Sequence, residues 1–191
     1  NKMTFKKVAL VSLLALSSGA ALALPTLGSG ETDTATAELN WKGTVPVVIE
    51  GNYTTITGLN GMPLTSGDLS VDMDGSFGSV APIVTEVHLL DETTGDILGL
   101  VTEAEATKLD WSVITDPTIT ATGSTNTSTA SAVLSMDGTD IKTGDAAIGG
   151  APSDFNVVSW TVRSNAGGEL TDINPGDAVN VTAFVQVETT F

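Results

Sequence analysis

From residue 34 the chain alternates with a period of two: Ala35, Ala37, Leu39, Trp41 and Val45 fall on one face, and Thr34, Thr36, Glu38, Asn40 and Lys42 on the other. One apolar face at that period predicts a half-buried strand. The pattern returns near the end of the sequence. There Val179, Val181, Ala183, Val185 and Val187 share a face against Asn180, Thr182, Gln186 and Glu188, within a strand expected over 177–188. Between these two segments, short β-branched runs predict strands at 46–50, 53–57, 69–73, 83–90, 97–101, 112–114, 118–121, 130–135 and 157–163. Asp74-Gly75, Thr94-Gly95, Asp137-Gly138, Gly167-Gly168 and Asn174-Pro175-Gly176-Asp177 separate the runs and supply the positive-φ residues that tight turns need. Residues 102–108 are the one stretch suited to a helical turn, and 123–129, rich in Ser, Thr and Asn, reads as an exposed loop. Many short strands punctuated about every ten residues predict an all-β antiparallel sandwich or barrel.

The head of the sequence is different. Met3-Thr4-Phe5-Lys6-Lys7 is followed by an apolar run from Val8 to Leu16, small residues, and Ala21-Leu22-Ala23. A basic start, a short apolar stretch and an Ala-x-Ala end are the parts of a secretory signal peptide, expected here over 1–23. The apolar stretch falls short of the roughly 20 residues a bilayer span requires, so no membrane insertion is expected of the mature chain. Asn1 and Lys2 precede the first Met and are read as a reading-frame artefact. The expected division is then a signal at 1–23, a flexible leader (24–30) with an N-terminal strand up to 45, and a sandwich domain over 46–191.

Charge narrows the partners. Of seven basic residues, Lys2, Lys6 and Lys7 belong to the signal, which leaves Lys42, Lys108, Lys142 and Arg163 against 23 acids. Such a surface repels phosphate backbones and anionic lipid, so nucleic acid is excluded as a partner. The chain has no cysteine, which removes thiol catalysis, iron–sulfur ligation and thiolate zinc sites.

Candidate chemistry is thin. His88, the single histidine, lies in the strand Val87-His88-Leu89-Leu90, with no serine in a nucleophile-elbow context, and reads as a packing or edge residue. Asp72-Met73-Asp74-Gly75 opens like a calcium loop but lacks its later ligands, so a turn with solvated carboxylates is the better reading. Asp137 with Asp140, and Asp91 with Glu92, read the same way. Trp41, Trp111 and Trp160 each lie in apolar alternations and read as core or as contact with a partner chain. Asn52-Tyr-Thr, Asn126-Thr-Ser and Asn180-Val-Thr match a glycosylation pattern that a Thr-rich chain produces by chance. No catalytic residue, metal ligand or cofactor is expected, and the chain reads as a non-enzyme.

The strand behind the leader carries the functional expectation. A loose leader followed by alternating small and large apolar residues can complete the sheet of a neighbouring molecule by strand addition, with Ala35, Ala37, Leu39, Trp41 and Val45 filling its groove. The same spacing also suits the first strand of a self-contained sandwich, and spacing alone leaves both open.

Ala-Thr-Ala-Glu-Leu-Asn-Trp-Lys-Gly, soon after the cleavage motif, resembles the donor segment of cysteine-free chaperone–usher pilins, the common-pilus and alternate CFA/I-type major subunits. The resemblance covers the two ends and the Gly/Thr/Ser-rich composition. It implies an incomplete immunoglobulin-like β-sandwich completed by a neighbour's strand. It also implies folding on a periplasmic chaperone, polymerisation through an outer-membrane usher, and homopolymer fimbriae on a Gram-negative cell surface serving adhesion or biofilm formation. Host or surface glycans are the one further partner class it admits. The rival expectation is a self-contained secreted matrix or carbohydrate-binding β-sandwich.

Overall fold

A computed structural model describes residues 28–42 and 46–191. The expected signal peptide and Val45 lie outside the described residues, as does most of the expected leader. Thirteen strands are described: β1 (Thr32–Trp41), β2 (Val48–Ile49), β3 (Thr54–Thr57), β4 (Leu69–Val71), β5 (Phe77–Ser79), β6 (Ile83–Leu90), β7 (Ile97–Leu100), β8 (Lys108–Ala121), β9 (Ala132–Met136), β10 (Thr139–Ile141), β11 (Ile148–Gly150), β12 (Val157–Ser164) and β13 (Val179–Thr190). One short helix, α1 (Pro152–Phe155), precedes β12.

The all-β expectation holds. One antiparallel sheet has the order β11-β8-β13-β1-β2. The second runs β10-β9-β12, where β12 pairs along its other edge first with β6 and then with β5. β4 extends from β5, and β3 and β7 both pair with β6. The inward residues of each sheet form one core, and the two faces meet at Trp111 and Trp160, whose rings pack edge to face with centroids 5.4 Å apart. Both indole N–H groups are satisfied: Trp111 donates to the Phe155 carbonyl at 3.0 Å and Trp160 to Thr85 Oγ1 at 3.0 Å. All three tryptophans are core, as one of their two sequence readings had it.

Several boundaries differ from expectation for physical reasons. The runs at 112–114 and 118–121 belong to a single strand, β8, which pairs with β13 through two register shifts between Thr182 and Val185. Three β8 residues have no partner in that ladder, Pro117 among them. Proline has no N–H to give, and a bulge absorbs it without ending the strand. The expected helical turn is present as one turn, with Glu105 and Ala106 N–H both donating to the Thr102 carbonyl. Asp137 and Gly138 both have positive φ (47° and 82°) and make the tight β9–β10 hairpin. Asp72-Met-Asp-Gly is a turn: Gly75 (φ 91°) donates to the Asp72 carbonyl, and Asp74 accepts from Ser76 N–H and Oγ.

Candidate interaction site: the N-terminal strand and its groove

β1 lies inside the first sheet, antiparallel to β13 in the same chain. Its ladder runs unbroken from Thr32 opposite Thr190 to Trp41 opposite Val181. The alternation works as the sequence implies: Ala35, Ala37, Leu39 and Trp41 all point into the core and are 0 % exposed. Cross-strand sizes are matched, Ala37 facing Val185 and Leu39 facing Ala183. Burial of Leu39 alone stabilises the strand by roughly 1.5–3 kcal/mol. Thr34, Thr36 and Glu38 take the outer face.

The other edge of β1 is covered in pieces. Thr36 and Ala37 face Ile49 and Val48 of the two-residue β2, and Glu38 N–H donates to the Val47 carbonyl. Gly67 N–H donates to the Asn40 carbonyl, and Lys42 N–H donates back to the Gly67 carbonyl. Gly67 has to be bare, because a Cβ there would stand 2.8 Å from Trp41 Cδ1. The described end of the leader is tied as well. Gly30 N–H donates to the Phe191 carbonyl at 2.6 Å, and Phe191 N–H donates to the Glu31 carbonyl at 2.9 Å.

One site residue escaped the sequence reading. Asp33 continues the odd-numbered face of β1 and is 6 % exposed, a carboxylate at the mouth of an apolar groove. Its Oδ1 accepts from Asn52 N–H at 2.9 Å. Its Oδ2 accepts from Tyr53 N–H at 3.0 Å, Thr54 N–H at 2.8 Å and Thr54 Oγ1 at 2.6 Å. The signal was present in the sequence, since Asp33 shares the parity of Ala35 and Ala37. A strand begun at Thr34 leaves it out.

A second buried polar group lies on the outer face of β6, beneath the turn Leu59–Gly61. His88 Nδ1 donates to the Leu98 carbonyl at 2.8 Å, and Nε2 stands 2.9 Å from Glu86 Oε2, which also accepts from Gly61 N–H at 3.1 Å. Burial pushes the Glu86 carboxyl up. The hydrogen bonds from His88, Asn60 and Gly61 outweigh that and hold it below the usual carboxylate range. His88 is a satisfied packing histidine, as read from the sequence. Asp140, bound through both oxygens by the Arg163 guanidinium and through one by Ser135, is likewise held low.

Among the described residues no group of three or more His, Asp or Glu is placed to hold a metal ion, and no helix is long and apolar enough to cross a membrane. Compared with protein-family models, with curated proteins and with solved structures, the chain matches none.

Proposed function

We propose that the chain is an exported structural subunit of a bacterial surface filament, whose copies join by exchange of β1. The observation that carries this reading is the alternating, wholly buried side-chain row of β1 at the N-terminal edge of the fold. Its ladder to β13 leaves the rest of the sandwich joined to β1 covalently only through residues 42–47. A β1 from a second copy would make the same ladder and fill the same pockets. Exchange therefore costs little beyond the ordering of the joint, as in domain swapping generally. A strand released from its own fold leaves an apolar groove that must be held until a neighbour fills it. That need is what a periplasmic chaperone and an outer-membrane usher supply in the pilin reading.

The completeness of the in-chain ladder favours a second reading, a self-contained secreted β-sandwich of matrix or carbohydrate-binding type. Electron microscopy separates the two. The filament reading expects fibres from the purified full-length chain and none from a chain lacking residues 24–41. Monodisperse particles from the full chain, or equal fibres from the truncated one, would overturn it in favour of the self-contained protein.

A further inference from the structure

The main-chain N–H groups of Asn52, Tyr53 and Thr54 and the Thr54 hydroxyl converge on one carboxylate, that of Asp33, with Asn52 on Oδ1 and the other three on Oδ2. Three successive amides form an anion cradle of the kind that main-chain nests make elsewhere in proteins. Charge-assisted bonds of this sort are about twice as strong as neutral ones. The floor is closed: a Cβ on Gly51 would stand 2.3 Å from Asp33 Oδ2, so the absence of a side chain at 51 gives the carboxylate its room.

We propose that this cradle is a carboxylate-recognition site that sets the register of whichever strand lies on β13, with Asp33 as its ligand. The part of the proposal that concerns a strand from a second copy rests on the filament reading; the register function does not.

The need for such a device follows from the sequence of β1. A slip of one residue turns every side chain to the wrong face, so the competing registers are slips of two. Leu39 and Trp41 resist a slip at the far end by size, but Ala35 and Ala37 are identical and discriminate nothing at the near end. A slip of two in one direction presents Ala35 to the cradle and strands three amides without an acceptor. A slip in the other direction presents Glu31, whose side chain is one methylene too long for a pocket already floored at Gly51. Only Asp33 both reaches and fits. The partner class is therefore an extended strand with a short carboxylate two residues before a small-x-small-x-large-x-large row, which is a copy of this chain's own segment.

The absence of cysteine makes the test direct, because an introduced pair reports alone. Thr36 faces Gln186 in the native register, whereas Thr34 would face Gln186 only after a slip of two. Native cross-strand Cα spacing suits a disulfide and diagonal spacing does not. The double variants Thr36→Cys with Gln186→Cys, and Thr34→Cys with Gln186→Cys, are oxidised in full-length chains carrying Asp33, Asp33→Asn or Asp33→Ala. With Asp33 the native pair should form about tenfold more disulfide than the slipped pair, and in the Asp33 variants that ratio should fall severalfold. Asp33→Asn keeps the volume and an accepting oxygen, so it reads the charge even where Asp33→Ala fails to fold. An unchanged ratio in Asp33→Asn, and in Asp33→Ala if that variant folds, would overturn the proposal. The same gels test the filament reading separately. Cross-linked ladders mark exchange between copies and an internal link in the monomer marks a retained strand, and the register ratio can be read from either.

Discussion

At the scale of single residues, most of the chemistry consists of carboxylates caught by main-chain N–H groups, and Glu86 is the buried case with a consequence for pH. Its folded-state pKa is lowered, so the ionised form is the one that stabilises the fold. That contribution is fully present above the unfolded carboxyl value, 4.5, and is lost as pH falls through the lower folded value. His88 Nε2 stands within hydrogen-bond distance of Glu86 Oε2, while its Nδ1 donates to the Leu98 carbonyl. Glu86→Gln keeps the shape but removes the charge, and it should cost about 1–3 kcal/mol at neutral pH. It should also flatten the fall in stability on acidification. Urea unfolding at a series of pH values from about 3 to 7 checks both effects. Parallel curves for the two proteins would mean that Glu86 does not contribute to the acid sensitivity. Gly75 is the sharpest backbone case. Its φ is 91°, and a Cβ there would stand 2.0 Å from the Leu170 carbonyl oxygen, to which the chain is further tied by Leu170 N–H donating to the Gly75 carbonyl. Gly75→Ala should therefore destabilise by about 2 kcal/mol or more, read as a drop in Tm, whereas Gly95→Ala, with nothing within 4 Å, should cost only the strain of positive φ.

At the scale of elements, the long strands were legible because each carries enough positions for its period to show. β6 is described over the same residues its sequence predicts, and β12 and β13 are within two residues of expectation at each boundary, whereas β1 begins two residues before the expected Thr34 and ends at Trp41, four short of the expected 45. β5, β10 and β11 were not legible. Each has three residues, too few for a period, and each exists because a longer neighbour offers a free edge: β5 lies on β12, β10 on β9 and β11 on β8. The groove that holds β1 was legible from the β1 side only. Ala35, Ala37, Leu39 and Trp41 announce an apolar wall opposite them. By contrast, Gly51 and Gly67 and the Asn52–Thr54 amides are backbone features that no side-chain pattern encodes. Within the strand the load is uneven. Leu39 faces a small residue and fills the space itself, so Leu39→Ala should leave a cavity and cost about 2–5 kcal/mol. Where that cost appears is informative. In a chain that keeps β1 it lowers the unfolding midpoint of the monomer. In a filament joined by β1 it lowers the temperature at which fibres release subunits, which heating before denaturing electrophoresis measures.

At the scale of the whole molecule, charge opposes the strand exchange proposed above. Beyond the expected signal peptide the chain carries four basic residues against 23 acids, and two of the four are already engaged, Lys108 with Asp110 and Arg163 with Asp140. Asp33 and Glu86 are the acids buried in the described fold, so the surface carries nearly all of this excess. Two such surfaces repel, and exchange of β1 would bring them into contact over the length of a ten-residue strand. The Debye length falls from about 10 Å at 0.1 M salt to about 3 Å at 1 M, so added salt removes the repulsion while leaving apolar burial and main-chain hydrogen bonds intact. On the filament reading, assembly should therefore accelerate severalfold between about 0.05 M and 0.5 M sodium chloride, followed by light scattering and confirmed by sedimentation. Joints held together by ion pairs would show the reverse, slowing as salt rises. A self-contained sandwich would sediment as a monomer at every salt concentration. The sign of the salt effect thus discriminates between a contact made by strand complementarity and one made by charge, using the full-length chain and no variant.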